Sequence, residues 1–481
     1  MINWRIIARV FSLVLILEGI CIIVTAGVSY TFREHAASSF LYSALITLVT
    51  GIIVFTPLRN EEKVTGKKEG YIIITGIWFL FAAFGTLPYL LTGSVNNFTD
   101  AFFESISGFT TTGATIFSDV ESLSHGILFW RSLTQWLGGI GVIFISLYVL
   151  PVFRTIYIQL PAIEFSGQPS DKFHPRIMDV AKRLLSIYAL ITLIEVVLLM
   201  IGGVPFFDSL CLSFSTLSTG GFTTMNYGIT AFADSYVIIV ITIFMFIAGL
   251  NMTFIYFGIT GNYRKTLNNE FYFYAGMCVA FMVIISAMLA FKPGINTGKA
   301  ILEGSFHVIS IITTTGFYIQ DHQLWGNIIL MIFFVLMFTG GTSGSTSGGI
   351  KIVRLLLVTK NSRQELKRLL HPNAFIPVRL DQKVVSQSTI FNLLVFITLY
   401  FLIICGSSLV LSFMDYDLIT SFSTSASMLA NIGPALGSFG PFTNYSSMPE
   451  FGKLLMSVLM VLGRLELLTV MVLFTRSFYS R

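Results

Sequence analysis

The sequence predicts an all-α polytopic membrane protein, and three observations lead to that fold class. Of the 481 residues, 54% are hydrophobic and 11% are charged, and the mean hydropathy is +0.81. A soluble domain usually carries about 25% charged residues, so soluble enzymes, nucleic-acid readers, disulfide-rich secreted proteins and disordered scaffolds fit poorly. Long apolar runs recur along the chain, and a short polar motif appears four times between them. Lipid is therefore the expected solvent.

The apolar runs have the lengths of helices. Their approximate limits are 6–30, 39–58, 71–92, 127–153, 184–203, 236–260, 271–291, 327–340, 390–413 and 454–475. A spanning helix needs roughly 20 apolar residues, whereas barrel strands have about ten residues and alternate in polarity. We therefore predict about ten full transmembrane helices. The first run resembles a signal peptide, but Glu18 interrupts it and another run follows at once, so we expect it to be retained.

The basic residues are divided unevenly between the two sides of these spans. If the N-terminus is cytoplasmic, 23 of the 29 Lys and Arg lie on the cytoplasmic side. The six others are Arg33, Arg131, Lys292, Lys299, Lys453 and Arg464. Because loops rich in Lys and Arg stay in the cytoplasm, we predict a multi-pass protein with both termini on that side.

Four short segments between spans are too short to cross a bilayer and too apolar for ordinary loops. They read SISGFTTTGAT, SFSTLSTGGFT, VISIITTTGF and SASMLANIGPA, at 105–115, 213–223, 308–317 and 425–435. Aligned on one glycine, each has a serine six positions upstream. The pairs are Ser107 and Gly113, Ser215 and Gly221, Ser310 and Gly316, and Ser427 and Gly433. Surface loops of similar composition would not share this register, so we predict a repeat of span, half-helix, glycine loop and span.

The repeats divide the chain into five units. A two-helix extension at 1–68 precedes pore repeat 1 at 69–155 and pore repeat 2 at 156–265. Pore repeat 3 occupies 266–360, and a cytoplasmic linker with pore repeat 4 occupies 361–481. All four repeats run parallel.

Such half-helices imply a pore, because backbone that leaves a helix within hydrocarbon must be buried in protein or line a watery cavity. Glycine at the turn tolerates positive φ, and a ring of carbonyls can replace the hydration shell of a cation. No carboxylates stand at the glycine register, which disfavours calcium and favours a weakly held monovalent cation. The candidate ligands are Thr111, Thr112, Gly113, Thr219, Gly220, Gly221, Thr314, Thr315, Gly316, Asn431, Ile432 and Gly433.

Acidic residues stand near the start of three of the half-helices: Asp100, Glu104, Asp208 and Glu303. They either concentrate cations at the outer mouth or form ordinary interface contacts, and both interpretations stay open at this point.

The second span of the third repeat contains the run TGGTSGSTSGG at 339–349. A run so rich in glycine cannot hold a stable helix, and at membrane depth it must line a cavity. A phosphate-binding loop would need GxxxxGK[ST], which is absent; close packing of small residues is the stronger alternative. We predict a gate here, formed by Gly340, Gly341, Thr342, Ser343, Gly344, Ser345, Gly348 and Gly349.

The second spans also repeat a glycine, at Gly138, Gly249, Gly340 and Gly463. Arg464 stands where the first and third repeats have a second glycine. An intramembrane arginine usually faces a cavity or pairs with an acid, and the sequence does not identify a partner. Our hypothesis is that Arg464 projects into the pore below the glycines and limits the dwell time of cations; a purely structural role is the alternative.

These motifs, together with WLGGIGV at 136–142, GGTSGSTSGGIK at 340–351 and GRLEL at 463–467, resemble the Trk/Ktr/HKT superfamily of potassium transporters over essentially the whole chain. The two extra N-terminal spans are similar to those of Trk-type members. The resemblance implies potassium-selective uptake through a gated, channel-like pore in the bacterial inner membrane. It also implies a homodimer with one pore per subunit, control by a cytosolic TrkA-type nucleotide-binding ring, and no cofactor bound by this chain.

In this superfamily the four glycines accompany potassium selectivity, and all four are present here. The fourth repeat departs from the pattern, because ANIGP replaces the threonine-rich loop. Its ligands are therefore expected from the backbone, and exact fourfold coordination does not follow.

Two other functions are alternatives to a channel. A symporter that couples potassium to protons or sodium by alternating access usually has inverted repeats, whereas these repeats are parallel. An intramembrane enzyme would need convergent nucleophiles or metal ligands, and the spans offer none. The basic stretch from Lys351 to Lys383 fits either lipid headgroups or a regulatory partner, and no feature suggests nucleic-acid binding.

Overall fold

The computed structural model describes residues 2–59, 66–152, 173–232, 234–261, 267–374, 376–381, 383–465 and 467–479. The predicted unit boundaries after 155 and 265, and the basic residues of 60–65, 153–172 and 262–266, lie outside this set. The boundaries predicted after 68 and 360 fall within helices.

Helices make up most of the described chain, in an order that follows the predicted repeat. They are α1 Trp4–Thr31, α2 Ala36–Leu58, α3 Lys67–Gly85, α4 Leu87–Leu91, α5 Phe98–Phe109, α6 His125–Val152, α7 Phe173–Ile201, α8 Phe206–Leu217, α9 Ser235–Ala248, α10 Met252–Ile259, α11 Asn269–Ala290, α12 Thr297–Ile312, α13 Asn327–Leu336, α14 Ile352–Leu370, α15 Gln387–Ser412, α16 Leu418–Ala430, α17 Glu450–Arg464, α18 Leu467–Met471 and α19 Arg476–Tyr479. Two short strands, β1 Arg379–Leu380 and β2 Lys383–Val384, pair antiparallel.

Within the described residues, 6 helices are long and apolar enough to cross a membrane, or 8 if each of two bent pairs counts as one span. The six are Trp4–Thr31, Ala36–Leu58, Lys68–Leu91, Asp179–Ile201, Asn269–Ala290 and Gln387–Ser412. Large apolar side chains such as Leu45 on α2 and Leu402 on α15 are exposed on their outer faces, as lipid-facing helices require. The fold class predicted from the sequence, an all-α multi-pass membrane protein, is confirmed.

The four predicted half-helices are α5, α8, α12 and α16, with 12, 12, 16 and 13 residues. Three begin with an Asn or Asp whose side chain accepts a backbone N–H of the first turn: Asn97, Asn296 and Asp417. Such caps satisfy orphan donors at a helix start. Each half-helix ends just before its glycine-bearing turn. We refer to them below as pore helices 1 to 4.

The second spans of repeats 2 to 4 are interrupted, which differs from the continuous runs in the sequence. Helices α9 and α10 meet at 104°, and Glu450–Arg464 meets the segment Leu467–Phe474 at 112°. The first bend follows from local chemistry, because Asn251 caps α10 by accepting the N–H of Thr253 over 2.8 Å. In repeat 3, α13 ends at Leu336 and residues 339–349 are non-helical, as their composition predicted. We call residues 339–349 the intramembrane loop.

Two hydrophobic clusters form the core around the pore helices. One joins α1 to α3 with repeats 1 and 4 through buried side chains such as Phe40, Trp130 and Phe439. The other joins repeats 2 and 3 through side chains such as Phe244 and Phe306. The pore helices therefore lie at the meeting point of two apolar halves.

Candidate ion pore

The four repeat glycines form a closed ring, which we call the glycine ring. A Cβ built on each would lie within 2.4 Å of the carbonyl oxygen of the residue before the next glycine. These contacts run from Gly113 to Gly220, from Gly221 to Thr315, from Gly316 to Ile432 and from Gly433 to Thr112. Each loop thus touches the next, in the order 1, 2, 3, 4 and back to 1. A side chain at any of these positions would collide with backbone.

The backbone of the ring is left-handed at two places in every repeat. The glycines have φ of 81°, 81°, 79° and 96°, and the residues two positions earlier have φ of 52°, 56°, 57° and 57°. Those earlier residues are Thr111, Thr219, Thr314 and Asn431. A β-branched residue at positive φ is a genuine outlier, whereas asparagine tolerates it. Strain of this kind persists only where the surroundings enforce it, often at functional sites. The glycines signalled the turn in the sequence, and the threonines did not.

The six-residue spacing between the shared serine and glycine has a structural reason. The carbonyl of each serine accepts the N–H of the residue before the ring glycine, over 2.8, 2.7, 2.9 and 2.9 Å in repeats 1 to 4. In repeats 3 and 4 the hydroxyl also closes the turn, since Ser310 donates to Phe317 O over 2.7 Å and Ser427 to Pro434 O over 2.8 Å. The serine register therefore attaches every loop to its own pore helix.

Glu104, one of the candidate vestibule residues, is instead part of a buried ion pair. Arg131 donates its Nε to Glu104 Oε1 over 2.8 Å, and the two side chains are 2% and 0% exposed. Arg131 also donates to Thr223 O of repeat 2 over 3.2 Å, and Glu104 accepts the N–H of Ile116 over 2.9 Å. The charge of Glu104 is therefore satisfied within the protein and is not presented to solvent ions. No pattern in the sequence links Arg131 to Glu104.

The other acidic candidates also have protein partners. Asp100 pairs with the buried Lys453 over 2.6 Å, and Asp208 accepts the hydroxyl of Thr224 over 2.7 Å. Glu303 lies 3.5 Å from Lys299. The interface interpretation of these residues is therefore the one that the contacts favour.

An exposed carboxylate stands further out, in the segment that follows the first ring glycine. The Asn226 amide of repeat 2 donates to Asp119 Oδ1 over 2.8 Å. This hydrogen bond lowers the pKa of Asp119 below its usual range. The group is therefore anionic at neutral pH.

The intramembrane loop is buried and bonded to several elements, at the ends of the pore helices. Its Thr346 hydroxyl donates to Leu217 O over 3.0 Å and to Ala248 O over 3.2 Å. Gly348 N donates to the side-chain Oγ1 of Thr314, a residue with left-handed backbone, over 2.7 Å. Glu270 of α11 accepts the N–H of Ser343 over 2.5 Å, and Lys351 donates to Ser347 O over 2.7 Å. The loop is therefore tied to repeats 2 and 3.

Arg464 binds two carbonyls and is only 6% exposed. Its Nη1 donates to Thr346 O of the intramembrane loop over 2.5 Å, and its Nη2 donates to Gly138 O over 3.2 Å. Its Nε is buried without a partner among the described residues. One guanidinium from repeat 4 thus contacts repeat 1 and the loop of repeat 3.

The glycines of the second spans allow close packing against the pore helices. A Cβ on Gly138 would lie 1.9 Å from Phe109 O, and one on Gly463 would lie 2.0 Å from Leu429 O. Gly139 of repeat 1 and Gly249 of repeat 2 instead approach the following repeat, at Ser218 and Thr313. Gly348 of the intramembrane loop likewise approaches Ala430 of repeat 4. In repeat 4, Arg464 follows Gly463 as Gly139 follows Gly138, so a cation takes the place of that glycine.

Four half-helices that meet at a ring of backbone contacts inside an apolar helical protein define a polytopic membrane protein of the four-repeat pore class. The sequence matches the family described as TrkH, cation transport protein, over residues 38–288 and 278–480. The chain belongs to the TrkH family. This confirms the resemblance drawn from the motifs.

Individual relatives cover the full chain. The Trk system potassium uptake protein TrkH of Salmonella typhimurium is 33% identical over 482 residues, 99% of each chain. The Trk system potassium uptake protein TrkI of Halomonas elongata is 31% identical over 483 residues, 100% of this chain and 98% of its own. The crystal structure of the potassium transporter TrkH from Vibrio parahaemolyticus superposes with a TM-score of 0.91 at 29% identity, over 100% of both chains.

Proposed function

We propose that this chain takes up potassium across the bacterial inner membrane through a gated, channel-like pore whose narrowest part is the glycine ring. The single observation that carries the proposal is the closed contact of the four loops, each glycine against the carbonyl of the next repeat. Relatives that align with this chain over nearly their whole length are named potassium uptake proteins.

The ion ligands in this proposal are backbone carbonyls of the four loops. The backbone of each loop is left-handed at two places, which takes its carbonyls out of the hydrogen-bond pattern of the pore helix. Carbonyl oxygens replace the hydration shell of a cation, with selectivity set by their number and field strength. The ligand-bearing residues are Thr111, Thr112, Gly113, Thr219, Gly220, Gly221, Thr314, Thr315, Gly316, Asn431, Ile432 and Gly433.

The gate in this proposal is the intramembrane loop together with Arg464. The loop packs against the ends of pore helices 2 and 4, through Leu217 O and Ala430 O. Arg464 adds a positive charge bonded to Thr346 O at the same level, which repels a cation that has passed the ring. Conduction would require the loop to leave this position. Its gate residues are Gly340, Gly341, Thr342, Ser343, Gly344, Ser345, Gly348 and Gly349.

Regulation would reach the gate through α14, which begins at Ile352, directly after the loop. Its basic side chains, among them Lys360 and Arg368, suit a cytosolic TrkA-type nucleotide-binding ring or lipid headgroups. In this arrangement both termini face the cytoplasm and two chains form a homodimer with one pore each. A partner that prefers the open loop would shift its population.

The test is ion flux in vesicles reconstituted with the purified protein. We expect potassium uptake driven by membrane potential alone, without a proton or sodium gradient; uptake that requires either gradient would favour the symporter. Gly113→Ser should raise sodium permeation relative to potassium, because a side chain there displaces the Gly220 carbonyl. The matched control is Gly276→Ser on α11, where a Cβ meets no atom within 4 Å. An unchanged ion ratio in Gly113→Ser would exclude the ring as the filter.

A further inference from the structure

The glycine ring has four loops, but its hydrogen bonds divide them into two kinds. In repeats 1 and 3 two threonine hydroxyls pair within the loop, Thr110 with Thr112 over 2.8 Å and Thr313 with Thr315 over 2.8 Å. Repeats 2 and 4 have Gly220 and Ile432 at the place of the second threonine. Those two loops therefore lack the internal hydroxyl pair.

In repeats 2 and 4 a side chain from outside the loop binds a loop carbonyl instead. Gln135 of α6 donates its Nε2 to Gly220 O over 2.7 Å and accepts the N–H of Phe222 over 3.2 Å. Tyr445 donates its hydroxyl to Gly433 O over 2.8 Å. Both donors are buried, Gln135 at 0% and Tyr445 at 3% exposure.

Each donor also joins two repeats. Gln135 belongs to the second span of repeat 1 and holds the loop of repeat 2. The N–H of Tyr445, in repeat 4, donates to Thr115 O of repeat 1 over 2.8 Å. Because the ring order is 1, 2, 3, 4, the loops held in this way lie on one diagonal and the threonine loops on the other.

We propose, building on the function proposed above, that Gln135 and Tyr445 are positioning residues that make the loops of repeats 2 and 4 weaker ligands than those of repeats 1 and 3, through two neighbouring positions of the loop, Gly220 just before the ring glycine and Gly433 at it. A carbonyl that already accepts a short hydrogen bond has a fixed direction and one of its two lone pairs engaged, and the positive hydrogen of the donor beside it opposes the binding of a cation. The ion is therefore held mainly by carbonyls of repeats 1 and 3. The carbonyls of repeats 2 and 4 are weaker ligands with fixed orientations. Since selectivity depends on the number and field strength of coordinating carbonyls, these two donors tune the preference for potassium.

The test removes each donor and keeps the size of the side chain. Gln135→Met and Tyr445→Phe are measured in vesicles for the permeability ratio of potassium to sodium. The control for the first is Thr134→Val, since the Thr134 hydroxyl donates to Arg131 O of its own helix. The control for the second is Tyr416→Phe, since Tyr416 contacts the same Phe439 ring as Tyr445.

We expect each donor variant to shift the permeability ratio by at least about threefold, the effect of losing one neutral hydrogen bond, while both controls keep the wild-type ratio. A purely structural role would lower stability and reduce the flux of both ions alike, without a change in ratio, and that result would overturn the proposal. If Gln135→Met does not assemble, the Tyr445→Phe and Tyr416→Phe pair decides alone. A wild-type protein without potassium preference would refute the proposed function itself, which is a different outcome from an unchanged ratio in the variants.

Discussion

The glycine ring and the intramembrane loop are neighbours held by opposite kinds of contact. In the ring one backbone contact recurs four times, and each copy depends on the absence of a side chain. In the loop every bond occurs once, and most involve side chains such as Thr346, Glu270 and Arg464. A closed ring of backbone contacts is intolerant of change at any one position. A loop held by separate hydrogen bonds can lose them one at a time. A gate that moves between a closed and an open position requires this property.

The largest effect should come from the ring. Gly316→Ala places a methyl group 2.0 Å from Ile432 O at a φ of 79°. Left-handed backbone alone costs alanine about 1–2 kcal/mol, and the collision adds to it. We expect selective potassium uptake to fall to background in a flux assay. Gly406→Ala on α15, where a Cβ meets open space, should keep wild-type uptake. Normal selectivity in Gly316→Ala would mean that the ring opens more than its contacts imply.

The next effect should come from shortening the loop. Deletion of residues 341–347 removes the bonds of Ser343 and Thr346 and the carbonyl that Arg464 holds. Basal potassium flux without any partner should rise by about tenfold, the result of a 1.4 kcal/mol shift toward an open pore. A folded but silent or slower protein, judged by gel filtration and flux together, would argue against a gate.

A smaller effect is expected from the charge itself. Arg464→Ala removes a guanidinium from the level of Thr346 O, and a unit charge about 4 Å from a cation costs it about 1 kcal/mol where water screens the pair. Single-channel potassium conductance should increase. Arg464→Lys keeps the charge and should stay near wild type. Equal conductance in the alanine variant would place the residue away from the ion path.

The smallest effect is expected from a single hydroxyl of the intramembrane loop, and it tests whether the loop and the glycine ring act separately. Thr346→Val removes only the hydroxyl, whose one hydrogen lies between Leu217 O and Ala248 O. Because one neutral hydrogen bond contributes about 1 kcal/mol, basal flux should rise only a few-fold, with the ion ratio unchanged. Thr359→Val on α14, whose hydroxyl bonds Leu355 O of its own helix, is the control. A changed ion ratio would show that the loop and the ring are not separate devices.

Much of the fold could be predicted because its signals are local. Long apolar runs predicted the spans, and the shared serine and glycine predicted the four half-helices and their turns. The composition of residues 339–349 predicted that the helix would break there. The bend after Ala248 was not expected, because its cause is a cap by Asn251 within an apolar run.

The contacts of the site could not be predicted from the sequence, since they join residues that are distant in it. Glu104 and Arg131 are 27 positions apart, and Arg464 and Gly138 are 326 apart. No spacing rule links such pairs. The acidic candidates show the consequence: their position in the sequence left a vestibule and an interface role both open, and only the contacts in the fold distinguish the two roles, through Lys453, Thr224 and Arg131.

By itself the sequence determined that this chain is a membrane protein and that a unit of span, half-helix, glycine loop and span occurs four times. It also determined that one glycine and one serine recur in register in these units. These are properties of composition and period, which survive in any conformation. Only the tertiary structure decided that the glycines touch in a closed ring, that Thr111 and its counterparts are left-handed, and that Arg464 binds the loop. The reason is physical: a carbonyl's direction and a buried charge's partner depend on which repeats lie side by side, and that arrangement arises only when all four pack around one axis.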